Sequence, residues 1–167
     1  MKITIQAVTV DVFAHQLGSL SALLEKGLAH ATARKFDPSV LVNARLAPDM
    51  FPLSRQVQIA CDGAKNGVAR LAGLEPPRFE DNEKTIEELR ARIARTIDYL
   101  KGVPSSALEG AEERAIRVPA GPDKFLDFKG LDFIQRWALP NVFFHITTAY
   151  AILRHNGVEI GKRDYLG

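Results

Sequence analysis

Four histidines, at positions 15, 30, 145 and 155, and a single cysteine, Cys61, are the side chains in this sequence best suited to hold a metal or start nucleophilic chemistry. Two imidazoles share an ion on one helix only when they lie three or four residues apart, on the same face. No pair here has that spacing. His15 and His30 are fifteen positions apart, about four turns of helix, which is too far for one ion. His30 falls next to a basic helix end, Arg34-Lys35, and His155 precedes Asn156-Gly157, so both read as solvated helix-terminal residues. His145 is different. In "NVFFHITTAYAILRHNG" (Asn141 to Gly157), helical counting puts Asn141, His145, Thr148 and Ile152 on one face, polar at its start and apolar at its end. A lone imidazole there reads first as a hydrogen-bonded core residue. The chemical alternative is a pocket-lining base, or a single ligand completed by other helices.

A partner stripe lies earlier in the chain. Gln56, Ala60 and Gly63 recur at helical spacing, with Asp62 to one side. A buried Gln56 bonded to Asn141 or His145 would satisfy all three polar groups without any ligand. Gln56, Asn141 and His145 are therefore the candidate pocket residues; no metal-ligand set and no cofactor is assigned. Cys61 has no activating histidine or lysine close in sequence and reads as a small buried hydrophobe. The chain contains no glycine-rich phosphate loop, no G-x-S-x-G and no H-E-x-x-H. Its carboxylates read as helix-start and solvated-face residues.

The elements that must position these residues are helical. Phe13, Leu17, Leu20, Leu24 and Leu28 form one apolar stripe on a helix expected over about 9–35. Val57, Cys61, Ala64, Val68 and Leu71 form a second stripe over about 52–71, which starts at a tolerated proline and stops at Gly73. Small residues, among them Ala60, Gly63 and Gly67, thin that helix. Thr85 and Glu88 spell a capping box. Behind it run Ile86, Leu89, Ile93, Ile97 and Leu100, with Glu88 and Arg92 expected to pair on the outer face. Between Arg114 and Phe128 the period falls to two: Ile116 and Val118, then Leu126 and Phe128, flank "PAGPDK", which predicts a small hairpin. A last helix begins near Gly130, with Pro140 either kinking it or separating two helices. Its part after Pro140 is the most apolar helix and is expected deepest, and the tail "VEIGKRDYLG" is expected on the surface. The fold class is all-α: a four-helix bundle, one domain over 1–167, with a small β-hairpin between helices 3 and 4.

Composition narrows the function classes. A net charge of +2, with basic and acidic residues interspersed, offers no footprint for nucleic acid. The basic run from Arg90 to Arg95 reads as a solvated helix face. One cysteine excludes an intramolecular disulfide framework. No signal-peptide pattern is seen and no apolar stretch reaches about 18 residues, so no membrane partner is expected and a soluble cytoplasmic protein is.

The order of these helices, with a histidine early in the last and "AYAILRHNG" at its close, resembles the DinB/YfiT-like superfamily of four-helix bundles. More narrowly, "NARLAPDMFPLSRQVQIACDGAK" and "TTAYAILRHNGVEIGKRDYLG" resemble an uncharacterised bacterial branch of it, a domain of unknown function. The resemblance implies a divalent metal on three histidines, one from the second helix and two, four residues apart, from the last. It also implies, for some members, metal-dependent transfer or isomerisation with a low-molecular-weight thiol. His145 matches the second histidine of the last-helix pair, Asn141 stands in place of the first, and Ala60 lies near the second-helix position. An amide is a poor ligand for zinc or nickel and a methyl group is none. The expectation is a bundle with a degenerate metal site, a small inter-helix pocket that could take a small-molecule ligand, and no assigned reaction. The alternatives are a thiol-using, metal-dependent transferase or isomerase and a non-catalytic protein-interaction module. A homodimer is expected, from the resemblance and from the apolar last helix.

Overall fold

A computed structural model describes residues 3–167; the first two positions of the expected domain lie outside it. Its main elements are α1 (Val12–Arg34), α2 (Ser39–Asn43), α3 (Leu53–Ala72), α4 (Ile86–Gly102), β1 (Ala115–Pro119), β2 (Phe125–Lys129), α5 (Gly130–Phe133), α6 (Leu139–His155) and α7 (Lys162–Leu166). The bundle helices are α1, α3, α4 and α6. Each packs on two neighbours, in the cyclic order α1–α4–α3–α6. α3 and α6 run antiparallel: Gln56 meets His145, Gly63 faces Val142 and Gly67 faces Ala138.

The apolar stripes all turn inward. Phe13, Leu17, Leu20 and Leu24 from α1 are fully buried, as are Val57, Cys61, Ala64, Val68 and Leu71 from α3. From α4, Ile86, Leu89, Ile93 and Leu100 are buried and Ile97 is partly so. The capping box forms as written: Glu88 N–H donates to Thr85 Oγ1 at 3.1 Å, and Glu88 Oε2 accepts from Thr85 N–H at 3.1 Å. Caps of this kind contribute about 1 kcal/mol each. The hairpin pairs Ile116 with Phe128 and Val118 with Leu126, so these four side chains share one face.

Several expectations are corrected. The first helix begins near Ile5 rather than Thr9, because the Thr4 hydroxyl accepts from Ala7 N–H at 3.1 Å and starts it. It enters α1 through a π-helical turn, Ala7–Asp11. The combined helix Ala7–Arg34 is long and apolar enough, by length and mean composition alone, to cross a bilayer, although no continuous apolar run within it is that long. Its leucine stripe is instead spent on the bundle core. The deepest helix is α3, not α6. Small residues along α3 let α4 and α6 close on it, whereas Phe144 of α6 stays 58% exposed. The C-terminal tail docks: Val158 and Ile160 are buried, Lys26 Nζ holds Asp164 at 2.5 Å, and Leu166 carbonyl lies 2.6 Å from His15 Nε2. Alternating Val158 and Ile160 supplied that signal, masked by the charges around them.

Pro140 neither breaks the last helix nor ends it. α5 runs into α6 through a second π-helical turn, Ile134–Ala138, which absorbs the register change upstream of a residue with no N–H. Gly130, at the start of α5, is required by contact. A Cβ there would sit 1.7 Å from the carbonyl oxygen of Ala111, in a short 3₁₀ turn.

Candidate functional site

The polar residues singled out in sequence fall at the α3–α6 interface, but not as one network. His145 Nδ1 lies 2.7 Å from Gln56 Oε1. Gln56 Nε2 donates to the Phe51 carbonyl at 3.1 Å, which fixes the amide orientation and turns its oxygen to the imidazole. The neutral imidazole therefore carries its proton on Nδ1 and keeps its Nε2 lone pair. Burial, aided by the Arg55 charge, holds His145 below the ordinary histidine value. Asn141 is outside this pair. Its Nδ2 donates at 2.7 Å to the Trp137 carbonyl one turn earlier. His15 and His30 take separate partners: His15 meets the docked C-terminus and His30 packs edge-on against Phe36, 5.8 Å between centroids. His155 is exposed at the end of α6.

This donor set does not fit the metal implied by the resemblance. His145 offers one lone pair, the Asn141 amide is bonded to its own helix, and Ala60 is fully buried with nothing to donate. Among the described residues no group of three or more His, Cys, Asp or Glu side chains could hold an ion. Cys61 is enclosed in the core, and burial pushes its thiol up to about 12, although the neighbouring Thr96 hydroxyl acts the other way. A thiol that rarely ionises is a poor nucleophile.

A cleft of about 260 Å³ opens beside this interface. α3 presents Arg55, Ile59, Asp62, Asn66 and Arg70 to it, spaced by four, three, four and four residues, so that one helical face makes the wall. Phe133, Trp137 and Asn141 close the other side, and Gly63 and Gly67 leave the space between. Gln56 and His145 do not line it. Of this face the sequence alone marks only Asp62; the four- and three-residue spacing of Arg55, Ile59, Asp62, Asn66 and Arg70 is the signal that could have found it. A larger groove, about 940 Å³, lies between the N-terminal residues and the α5–α6 junction; among the described residues no cationic side chain lines it.

Behind the cleft is a charge network centred on Arg92. Arg92 does not pair with Glu88 on the outer face. Its side chain has no exposed surface and points between α3 and α4. It donates to Asp62 at 3.0 Å, Glu83 at 3.0 Å and the Glu80 carbonyl at 2.9 Å, and lies 2.9 Å from Asp81. Burial alone would lower Arg92; the bond to Glu83 and the charge on Asp62 outweigh it, and the net displacement is upward. Buried Lys65 adds 3.2 Å to Asp62 and donates to the Pro77 carbonyl at 2.5 Å. Phe79 lies under Arg95 and Lys65, 3.9 and 4.2 Å from its centroid. The loop after α3 is thus strapped to the bundle by cations, and Arg55, paired with Asp81, links the strap to the cleft. Glu88 is used up at the helix start, where the backbone N–H groups of Lys84 and Thr85 hold its carboxyl below the usual range.

A four-helix bundle with a hairpin before its last helix is the architecture of a DinB-like helical protein. Residues 5–166 match the family model described as Domain of unknown function (DUF1993), and the chain belongs to that family. It is similar to the crystal structure of a DinB family member protein from Shewanella denitrificans, at 48% identity and a TM-score of 0.90, over 98% of this chain and 92% of that one. No curated protein matches it.

Proposed function

We propose that this DinB-like protein binds a small molecule in the α3–α6 cleft and that its ancestral metal site is degenerate. The observation carrying the proposal is a concavity walled by Trp137 and Phe133 and lined as well by two side-chain amides, Asn66 and Asn141, two arginines, Arg55 and Arg70, and Asp62. Apolar walls with a few convergent polar groups are the usual make-up of ligand sites, and bundles place them between facing helices. His145 supports the second half of the reading: one imidazole, beside an amide bonded elsewhere, cannot hold a transition ion tightly. Metal analysis of protein purified without an affinity tag should find zinc and nickel well below one per chain. A stoichiometric ion, lost in His145→Ala, would overturn this and favour the metal-dependent, thiol-using transferase or isomerase. Occupancy of the cleft is read from Trp137, the only tryptophan in the chain. A panel of small aromatic compounds should change its emission, and no response to any member would remove the cleft from consideration.

A homodimer is proposed with it, on one observation. Phe51 and Phe144, 56% and 58% exposed, flank the Gln56–His145 pair: Phe51 through its carbonyl, Phe144 edge-on to the imidazole at 5.2 Å between centroids. Exposed aromatics close to one polar pair suit a self-complementary contact. Sedimentation equilibrium should show a dimer that Phe144→Glu dissociates; a monomeric parent chain at micromolar concentration would refute it.

A further inference from the structure

Resting on the proposed cleft reading, we propose that its ligand is a small organic anion with an aromatic or apolar body, held at its charged end by Arg70. Most charges around the cleft already have partners. Arg55 is paired with Asp81 and bonded to Gln58 at 3.3 Å. Asp62 is taken by Arg92 and Lys65. Arg70 is left over. Among the described residues it has no carboxylate within ion-pair distance and no acceptor within hydrogen-bond distance, although it is half-buried at the cleft wall. Glu75 attracts it only at longer range, and burial acts against its charge.

A guanidinium cannot shed its proton in a protein, so partial burial without a partner is a standing cost. An incoming anion removes that cost and gains a charge-assisted, two-point bond. Asn66 lines the same wall one turn earlier and has no hydrogen-bond partner among the described residues. Asn141 uses one N–H on Trp137 and keeps its amide oxygen and second N–H. These amides can hold further oxygens of a carboxylate or its neighbouring group. The rest of the cleft is apolar: Ile59, Phe133 and Ala138, with the Trp137 ring. A flat ring fits that wall better than an inorganic ion does, and the small volume excludes anything much larger than a substituted ring or short acyl chain.

The test compares benzoate with benzamide, which have the same shape and differ in charge, against the full chain. Binding is followed by Trp137 emission and by calorimetry. Benzoate should bind at least about tenfold more tightly than benzamide, the range expected for one charge-assisted bond. Arg70→Gln should abolish that preference, and Arg70→Lys, which keeps the charge but not the fork, should retain part of it. Circular dichroism and urea midpoints close to the parent chain would show that both variants fold. If both probes bind equally, the cleft reading stands and the anion proposal falls. An unchanged preference in Arg70→Gln also overturns it, by placing the anion elsewhere. If neither probe binds, the cleft reading fails and the anion proposal with it.

Discussion

Asp62 Oδ1 on α3 lies 3.0 Å from Arg92 Nη2 on α4, so the two helices are joined through a guanidinium with no exposed side-chain surface. That ion pair decides how the loop between the helices is held, because the same guanidinium also binds Glu80 and Glu83 of the loop.

Removing Arg92 should therefore cost more than an ordinary surface pair. Arg92→Met leaves Glu83, whose side chain is 7% exposed, and Asp62 without their main cation. Breaking one side of a buried pair costs about 3–5 kcal/mol. Asp62 and Asp81 retain access to water, which puts the expected loss near the lower figure. Urea unfolding measures it. A loss below about 1 kcal/mol, the range of exposed pairs, would show that the network adds little. Arg92→Lys should recover only part, since an ammonium cannot reach the loop and Asp62 at once.

His145 should titrate below its ordinary value of 6.5, because burial disfavours the imidazolium. The folded-state value is lowered, so the unfolded chain binds the proton more readily. The associated stability is complete above pH 6.5 and is lost as pH falls from there through the folded-state value. Proton NMR of the ring gives the midpoint, and urea unfolding across that window gives the stability change, which should shrink in His145→Gln. A midpoint above 6.5 would contradict the geometry.

Cys61 should ignore thiol reagents until the protein opens. With its thiol pushed up to about 12 and no exposed surface, labelling by Ellman's reagent is limited by unfolding. The rate should rise by orders of magnitude across the guanidinium transition. Prompt labelling in native buffer would mean that α3 is not packed as described.

Two glycines should respond in opposite directions to alanine. At Gly130 the added methyl collides with the Ala111 carbonyl, and overpacking of this kind costs about 1–3 kcal/mol. At Gly18, on the exposed side of α1, nothing lies within 4 Å, and Gly18→Ala should stabilise by about 0.5–1 kcal/mol through helix propensity. Urea midpoints distinguish the two. A neutral Gly130→Ala would show that α5 can lift from the 3₁₀ turn at little cost.

The sequence by itself determined the helices, their inward faces, the hairpin and the family. Leu17, Leu20 and Leu24, or Ile86, Leu89 and Ile93, repeat at 3.6 residues, and the physics of burial reads that period directly. The capping box was equally local, since Thr85 and Glu88 are three positions apart. Tertiary structure alone decided the partners of the polar groups. Arg92 sits four positions from Glu88, the spacing of a helical ion pair, yet it serves Asp62, thirty residues away, and Glu83 in a loop. Gln56 and His145, 89 positions apart, do meet, but Asn141 turns back to Trp137. Nothing local to Arg70 marks it, and only the placement of α5 and α6 closes a wall over it. Hydrophobic burial is non-directional and leaves a periodic trace along the chain. Hydrogen bonds and ion pairs are short-ranged and directional, so their outcome waits on which atoms the packed helices bring within about 3 Å of one another.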